Sequence, residues 1–474
     1  MCILRHQGPA VPAACAAAGP GRDTAGGDTS GTAGRGNRAA GRGDGTARHH
    51  REAELSAFAY RDGELHAEGV PLSAIAARYG TPCYVYSRAA LEGAFRDYDS
   101  AFAGIDHLVC YALKANSNLS VLDLFARLGS GFDIVSGGEL ARVLAAGGDP
   151  GKVVFSGVGK SEAEIRQALD AGILCFNVES EGELDRVNAV AAAAGRRAPI
   201  SFRVNPDVDP KTHPYIATGL AQSKFGVAYD QAPELFRRAV RLPNVAVRGV
   251  DIHIGSQITE LEPYREAASK VLDLVDGLRA EGIAIEHVDL GGGLGIRYRD
   301  EHPLRLSEYA EMVRDLFAGR PERLLFEPGR RLVGAAGVLL TKVEFLKAGG
   351  TRNFAIVDAA MNDLLRPALY DAWHPVDAVH PRAGDVREWE IVGPVCESGD
   401  FLAHDRRLAL APGDLLAIGV AGAYGHVMSS NYNSRPRACE VIVDDRQTHL
   451  ARRREAASDL FAHESRWPGD IDRA

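Results

Sequence analysis

The chain has no run of 18 consecutive apolar residues, and none of its charged stretches is a long block of one sign. The first absence excludes a membrane-spanning helix. The second, with 54 basic against 63 acidic residues, gives a net charge of −9 and argues against a general nucleic-acid or anionic-membrane binder. Cysteine is sparse: seven residues at 2, 15, 83, 110, 175, 396 and 439, odd in number and without a Cys-x-x-Cys pair. Neither a disulfide framework nor a zinc cluster is indicated, and a reducing, cytoplasmic setting fits best. The remainder, 474 residues at a mean hydropathy of −0.13, is ordinary globular composition, long enough for two domains.

The first fifty residues lack lysine and every aromatic, and hold 11 Gly, 11 Ala and 6 Arg. Such a segment buries too little apolar surface to offset its ordering entropy, so residues 1–51 read as a disordered extension. Val11–Ala18 is a poor signal-peptide core, because Pro9 and Pro12 flank the run and alanine supplies most of its apolarity. Patterned sequence begins near Phe58.

From about 108 to 330, short apolar runs alternate with amphipathic stretches. The runs are Leu108–Leu113, Phe132–Val135, Val153–Phe155, Leu174–Val178, Ile200–Val204, Val247–Ile254, His287–Leu290 and Leu324–Phe326. Ala163–Ala171 and Tyr264–Ala280 are typical of the stretches between them. Eight strands in this alternation predict a closed parallel (β/α)8 barrel over 86–329. After about 331, runs such as Val338–Phe345, Phe354–Val357, Trp389–Val392 and Leu415–Ile418 are separated by turns. They predict a mostly antiparallel β domain, made of 52–85 and 330–474, with Tyr84–Tyr86 belonging to it.

Chemistry in such barrels sits at the C-terminal strand ends. Lys114 follows the first run directly; desolvated there it would have a lowered pKa and could form a Schiff base, or it could simply be a snorkelling strand-end lysine. The sixth ends in His253-Ile-Gly-Ser256-Gln257, where the histidine is either structural or a flat ring to stack on a cofactor. Gly291-Gly-Gly293-Leu-Gly295 follows the seventh; its N–H groups can converge on a phosphate, although a tight turn explains it equally well. Glu327-Pro-Gly-Arg330 follows the eighth, and phosphate sites of these barrels lie after strands seven and eight. An amine, a ring, a phosphate cradle and an acid to protonate a pyridine nitrogen together specify pyridoxal 5'-phosphate. No metal site is indicated. The second domain adds Arg366…Tyr370, Cys396-Glu397-Ser-Gly-Asp400 and Gly422-Ala-Tyr424. Arg366 can clamp a carboxylate, and Cys396 is either a proton donor or a packing thiol.

These residues resemble the fold-type III pyridoxal-phosphate decarboxylases, and within them the diaminopimelate decarboxylases. The resemblance runs from about Phe58 to Leu460. It is carried by Gly80-Thr-Pro-Cys-Tyr-Val-Tyr86, Tyr111-Ala-Leu-Lys-Ala-Asn116, Phe176-Asn-Val-Glu-Ser180, Ser223-Lys-Phe-Gly226, His253-Ile-Gly-Ser-Gln257, Gly291–Gly295, Glu327-Pro-Gly-Arg330, Cys396-Glu-Ser-Gly-Asp400 and Ser434-Arg-Pro436. It implies an alanine racemase-like pairing of barrel and β domain. It further implies that Lys114 carries the cofactor, His253 stacks on its ring, and Ser256, Gly291, Gly292 and Gly293 hold its phosphate. Glu327 would pair with the ring nitrogen, and Gly329, Arg330 and Tyr424 would complete the cofactor site. Arg330, Arg366, Tyr370, Glu397 and Tyr424 would contact substrate, and Cys396 would deliver a proton in a homodimer with shared sites. The implied reaction is decarboxylation of meso-diaminopimelate to L-lysine. Ornithine, arginine, carboxynorspermidine or a carrier-bound amino acid are the alternative substrates, and a catalytically silent cofactor-binding homologue is the alternative class. The chain departs from many close relatives at Val420, where they have an acid.

Overall fold

The computed structural model describes residues 57–209 and 223–467; the extension read at 1–51 lies outside them. Eight parallel strands close on themselves in chain order: His107–Ala112, Gly131–Ile134, Val153–Phe155, Cys175–Val178, Ala198–Asn205, Val245–Asp251, His287–Asp289 and Arg323–Phe326. Closure is explicit in the register, because Leu324 of the last strand pairs with His107 of the first. Each predicted apolar run became a barrel strand, and buried residues dominate both strand faces, which is why the runs read as nearly continuous. The helices start where the sequence supplies caps. Asn118, Ser136, Ser161 and Ser180 each accept an N–H bond from the first turn that follows, and Ser161 forms a reciprocal box with Glu164. Helix Arg88–Ala101 precedes the first strand and packs against both Leu119–Arg127 and Leu306–Leu316, covering the closure seam.

Side-chain alternation divides the barrel interior into layers. Leu108, Cys110, Val154, Cys175 and Leu325 form a small apolar cluster. One step further toward the C-terminal ends, on the same inward faces, stand Ala112, Asp133, Asn177, Arg203, Asp251, Asp289 and Glu327, most of them polar and all buried. The barrel is therefore packed below and polar above.

A second sheet is ordered Phe401–Leu408, Arg387–Val392, Asn353–Val357, Gly337–Ala348, Cys83–Ser87, Cys439–Asp444, Gln447–Arg452, with Leu415–Ile418 and Val376–Ala378 attached through Gly337–Ala348. Its pairings are antiparallel except Asn353–Val357 with Arg387–Val392 and Cys83–Ser87 with Cys439–Asp444. The fold is thus a TIM-like barrel joined to a mostly antiparallel sheet. Among the described residues, no helix is long and apolar enough to cross a membrane.

Candidate active site

The first strand stops at Ala112, and Lys114 sits in the single 3-10 turn Leu113–Ala115 that follows. Its Nζ donates to Asp133 Oδ2 on the neighbouring strand at 2.5 Å. Burial pushes the ammonium pKa down, but Asp133 and then Glu327 push it up, and the net direction is upward. The lowered pKa predicted from desolvation alone is therefore corrected: two adjacent carboxyls outweigh the loss of water. Asp133 was invisible as a partner in the sequence, although an acid inside a buried run was the signal for it.

Glu327 follows the eighth strand and is buried. Ser156 Oγ and Asn177 Nδ2 each lie 3.4 Å from its Oε1. Burial, then Asp133, Asp289 and Asp251, raise its pKa well above the usual carboxylate range. Oxygens of Asp251, Asp289 and Glu327 lie within 4.8 Å of one another, and among the described residues neither carboxylate oxygen of Asp251 has a hydrogen-bond partner. Three carboxyls this close cannot all ionise in a buried place, so the layer holds protons and attracts a cation.

The glycine triplet is required sterically. A Cβ at Gly291 would lie 2.4 Å from the Ile252 carbonyl oxygen, at Gly292 2.2 Å from that of Glu327, and at Gly293 2.4 Å from that of Gly255. Gly291 and Gly293 also have φ of +65° and +101°. Two of its N–H groups are already engaged: Gly291 donates to Asp289 Oδ1 at 2.8 Å, and Gly292 to His253 Nδ1 at 3.2 Å. Among the described residues no hydrogen bond uses the N–H of Gly293 or Gly329. The bond from Gly292 also fixes His253 Nδ1 as an acceptor, and burial with Arg203 and Lys114 holds that ring well below its ordinary pKa. His253 is a neutral ring.

Arg330 donates Nη2 to Ser256 Oγ at 3.1 Å, and its guanidinium lies 4.8 Å from the Tyr424 ring centroid. Tyr424 is tied to the turn of Lys114 by its own N–H, which donates to the Ala115 carbonyl at 2.7 Å. Lys114, His253, Ser256, Gly292, Gly293, Glu327, Gly329, Arg330 and Tyr424 all line one cavity. Arg366 begins the short helix Arg366–Tyr370, is buried beside Arg330, and has its pKa lowered by burial. Tyr370, at the other end of that helix, is half-buried. Neither Arg330 nor Arg366 has an acidic partner among the described residues.

Cys396 and Glu397 are not brought to this cavity within one chain. Both lie on an exposed loop, where Cys396 N–H donates to Asn433 Oδ1 at 3.0 Å and Glu397 Oε2 accepts from Tyr432 at 3.2 Å. Their exposure removes the packing-thiol reading of Cys396.

Residues 88–334 match the family of the pyridoxal-dependent decarboxylase, pyridoxal binding domain. The diaminopimelate decarboxylase of Pseudomonas aeruginosa is 61% identical over 414 residues, covering 87% of this chain and all of the relative. The solved structure of diaminopimelate decarboxylase from Helicobacter pylori complexed with L-lysine is similar at a TM-score of 0.80 and 44% identity, covering 83% of this chain and 99% of that one. The enzyme of M. jannaschii in co-complex with L-lysine superposes at a TM-score of 0.83 with 38% identity, covering 87% and 98%. Around a barrel mouth that brings a strand-end lysine, a buried acid and a glycine triplet together, relatives of this identity and coverage place the chain in the diaminopimelate decarboxylase family.

Proposed function

We propose that the protein is a pyridoxal-phosphate enzyme that decarboxylates meso-diaminopimelate to L-lysine, the last step of lysine formation, and acts in the cytoplasm as a homodimer. The residues present suit the cofactor. Glu327 is a buried acid whose pKa is raised by burial and by the acids around it, and a protonated pyridine nitrogen is a cation that suits such a place. Among the described residues the N–H groups of Gly293 and Gly329 enter no hydrogen bond, and backbone N–H groups of this kind suit a phosphate. Lys114 and His253 supply an amine and a neutral flat ring in the same cavity. Bound there, pyridoxal phosphate supplies a carbonyl for amine exchange and an electron sink for the carbon that loses carbon dioxide.

The chain's own part is binding, orientation and proton handling. Asp133 Oδ2 is the acceptor to which Lys114 Nζ can hand a proton when it becomes a free amine. Arg330, Arg366 and Tyr370 would take the carboxylate that is not lost, leaving the other free to depart as carbon dioxide. Glu397 holds the distal amine, and Cys396 Sγ carries the proton delivered to the carbon left by carbon dioxide. Because Cys396 and Glu397 lie outside their own cavity, we assign them to the barrel mouth of a second copy. In this division residues 86–329 bind the cofactor, and the β domain supplies substrate contacts and the partner loop.

The observation that carries the substrate is the pair of buried guanidiniums, each about 8% exposed, without an acidic partner among the described residues. A substrate retaining a second carboxylate satisfies them; a simple diamine precursor does not. The test is a competition: protein with added pyridoxal phosphate meets equal meso-diaminopimelate, ornithine, arginine and lysine, and products are identified by mass spectrometry. L-lysine from diaminopimelate is expected; diamines as the main products would transfer the reading to another substrate.

A further inference from the structure

Two buried side chains without a role so far face the arginine pair. Arg366 donates Nη1 to Nε2 of His374 at 2.8 Å, and Nδ1 of the same ring lies 2.9 Å from the Gly419 carbonyl oxygen. A guanidinium only donates and a carbonyl only accepts, so the ring carries one proton, on Nδ1, and is neutral. Its surroundings agree: His374 is fully buried, and Arg366, Arg330 and Arg406 all face it. The second side chain is Tyr298, from the loop after the seventh strand. Its ring centroid lies 4.7 Å from the Arg366 guanidinium and 5.7 Å from that of Arg330. Its Oη accepts from Arg330 Nη1 at 2.5 Å, and His374 packs edge-on against it at 5.4 Å and 82°.

Two like charges held together without an acid are unfavourable unless an anion arrives. A carboxylate at position 374 would orient Arg366 equally well, but it would also neutralise it and compete with the ligand. A neutral imidazole orients the guanidinium and leaves its charge in place. The Tyr298 ring does the same for both arginines through its π face. We propose that His374 and Tyr298 are positioning residues that hold Arg330 and Arg366 as one carboxylate receptor and thereby set the preference for a substrate with a second carboxylate. This inference rests on the substrate reading given above.

The experiment measures, by calorimetry on the pyridoxal-phosphate-loaded protein, the affinity for L-lysine and for cadaverine, which has the same two amines and no carboxylate. His374→Ala is expected to weaken L-lysine about tenfold or more, the effect of losing a hydrogen bond to a charged group, with cadaverine changed less than about twofold. KM for meso-diaminopimelate rises by a similar factor while kcat moves far less. His374→Gln, which keeps a neutral acceptor and donor, recovers most of the loss. Tyr298→Phe keeps the ring and removes only the hydroxyl, and is expected to weaken L-lysine by about threefold. It also carries the test if His374→Ala does not fold. Equal loss of both ligands, or unchanged L-lysine affinity in every folded variant, overturns the inference. A wild-type protein that binds cadaverine but not L-lysine overturns the substrate reading first, and this inference with it.

Discussion

The strand-end layer of the barrel and the rim above it are built with opposite electrostatics. The layer concentrates Asp133, Asp251, Asp289 and Glu327 around Lys114 and Arg203, all on inward-facing positions. The rim concentrates Arg330 and Arg366 with a neutral histidine and a tyrosine, and pairs them with no acid among the described residues. One region therefore has acids in excess and the other has cations in excess, both removed from water. A bound group with a cationic end and an anionic end is oriented by this separation before any individual contact is counted. Burial raises Glu327, Asp251 and Asp289 of the layer and lowers Arg366 of the rim.

The sharpest break in the comparison removes the one cation of the layer that reacts. Lys114→Ala should reduce carbon dioxide release by a factor on the order of 10³ or more and abolish the protein's pyridoxal absorbance. A variant with near-normal turnover would end the role given to that strand end. Cys396→Ala should be nearly inactive too. Mixing it with Lys114→Ala should restore up to about one quarter of the activity, the share a random two-fold mixture allows for one intact shared site in half the dimers. Absence of any recovery, with exchange of subunits demonstrated, would return the loop to its own chain. On the rim, Arg366→Lys keeps a charge but loses the planar fork. KM for meso-diaminopimelate should rise about tenfold with little change in kcat, and a fall in kcat alone would move Arg366 from substrate holding to chemistry.

Much of the layer was legible in the sequence, and less of the rim. Barrel strands buried on both faces must be apolar in long runs, so each appears as a block, and the residue after each block falls at the mouth. Lys114, the glycines and Glu327 are found that way, and His253 stands near the end of its block. Where a strand yields to a turn is subtler: Leu113 reads as strand but lies in the turn that aims Lys114, and Ile252–Ile254 continue the sixth run after its ladder has ended at Asp251. The direction of the Lys114 shift was missed because Asp133 acts across the ladder and not along the chain. His374 and Tyr298 were missed for the same reason. Residues 298, 330, 366 and 374 meet only through tertiary packing, and a lone His or Tyr carries no period that marks it.

A smaller effect distinguishes the two regions by pH. Glu139, on the helix after the second strand, accepts from Val135 N–H at 2.7 Å, and burial raises its pKa from the ordinary 4.5 to about 7. The folded state then keeps its proton over a range where the unfolded chain has lost it. Stability from this group is fully present below about pH 4.5, declines as pH rises to about 7 and is level above. Glu139→Gln removes the decline, so the variant should gain about 1–2 kcal/mol on the wild type between pH 5 and pH 8, a value reduced for partial exposure. Urea midpoints at the two pH values measure it. Asp289, also raised to about 7, contributes the same sign to both proteins and cancels in the difference. Parallel curves would show that Glu139 ionises normally.

The smallest expected effect lies where the rim is anchored. Val420 has φ of +52°, a left-handed conformation that is costly for a β-branched residue. Its neighbours keep it there: Gly419 N–H donates to the Pro375 carbonyl, the Gly419 carbonyl accepts from His374, and Ala421 N–H donates to Gly337, each within about 2.9 Å. The strain is thus held by the same segment that fixes the histidine under Arg366. Asparagine tolerates this conformation, so Val420→Asn should raise the urea midpoint by the equivalent of about 1 kcal/mol with the slope unchanged. Because the hydrogen bonds of Gly419 and Ala421 do not involve the side chain at 420, L-lysine affinity should stay the same. A stabler protein with weaker L-lysine binding would mean that the rim uses the strain to hold His374 in place. A less stable one would mean that the packing of the valine side chain outweighs its backbone cost.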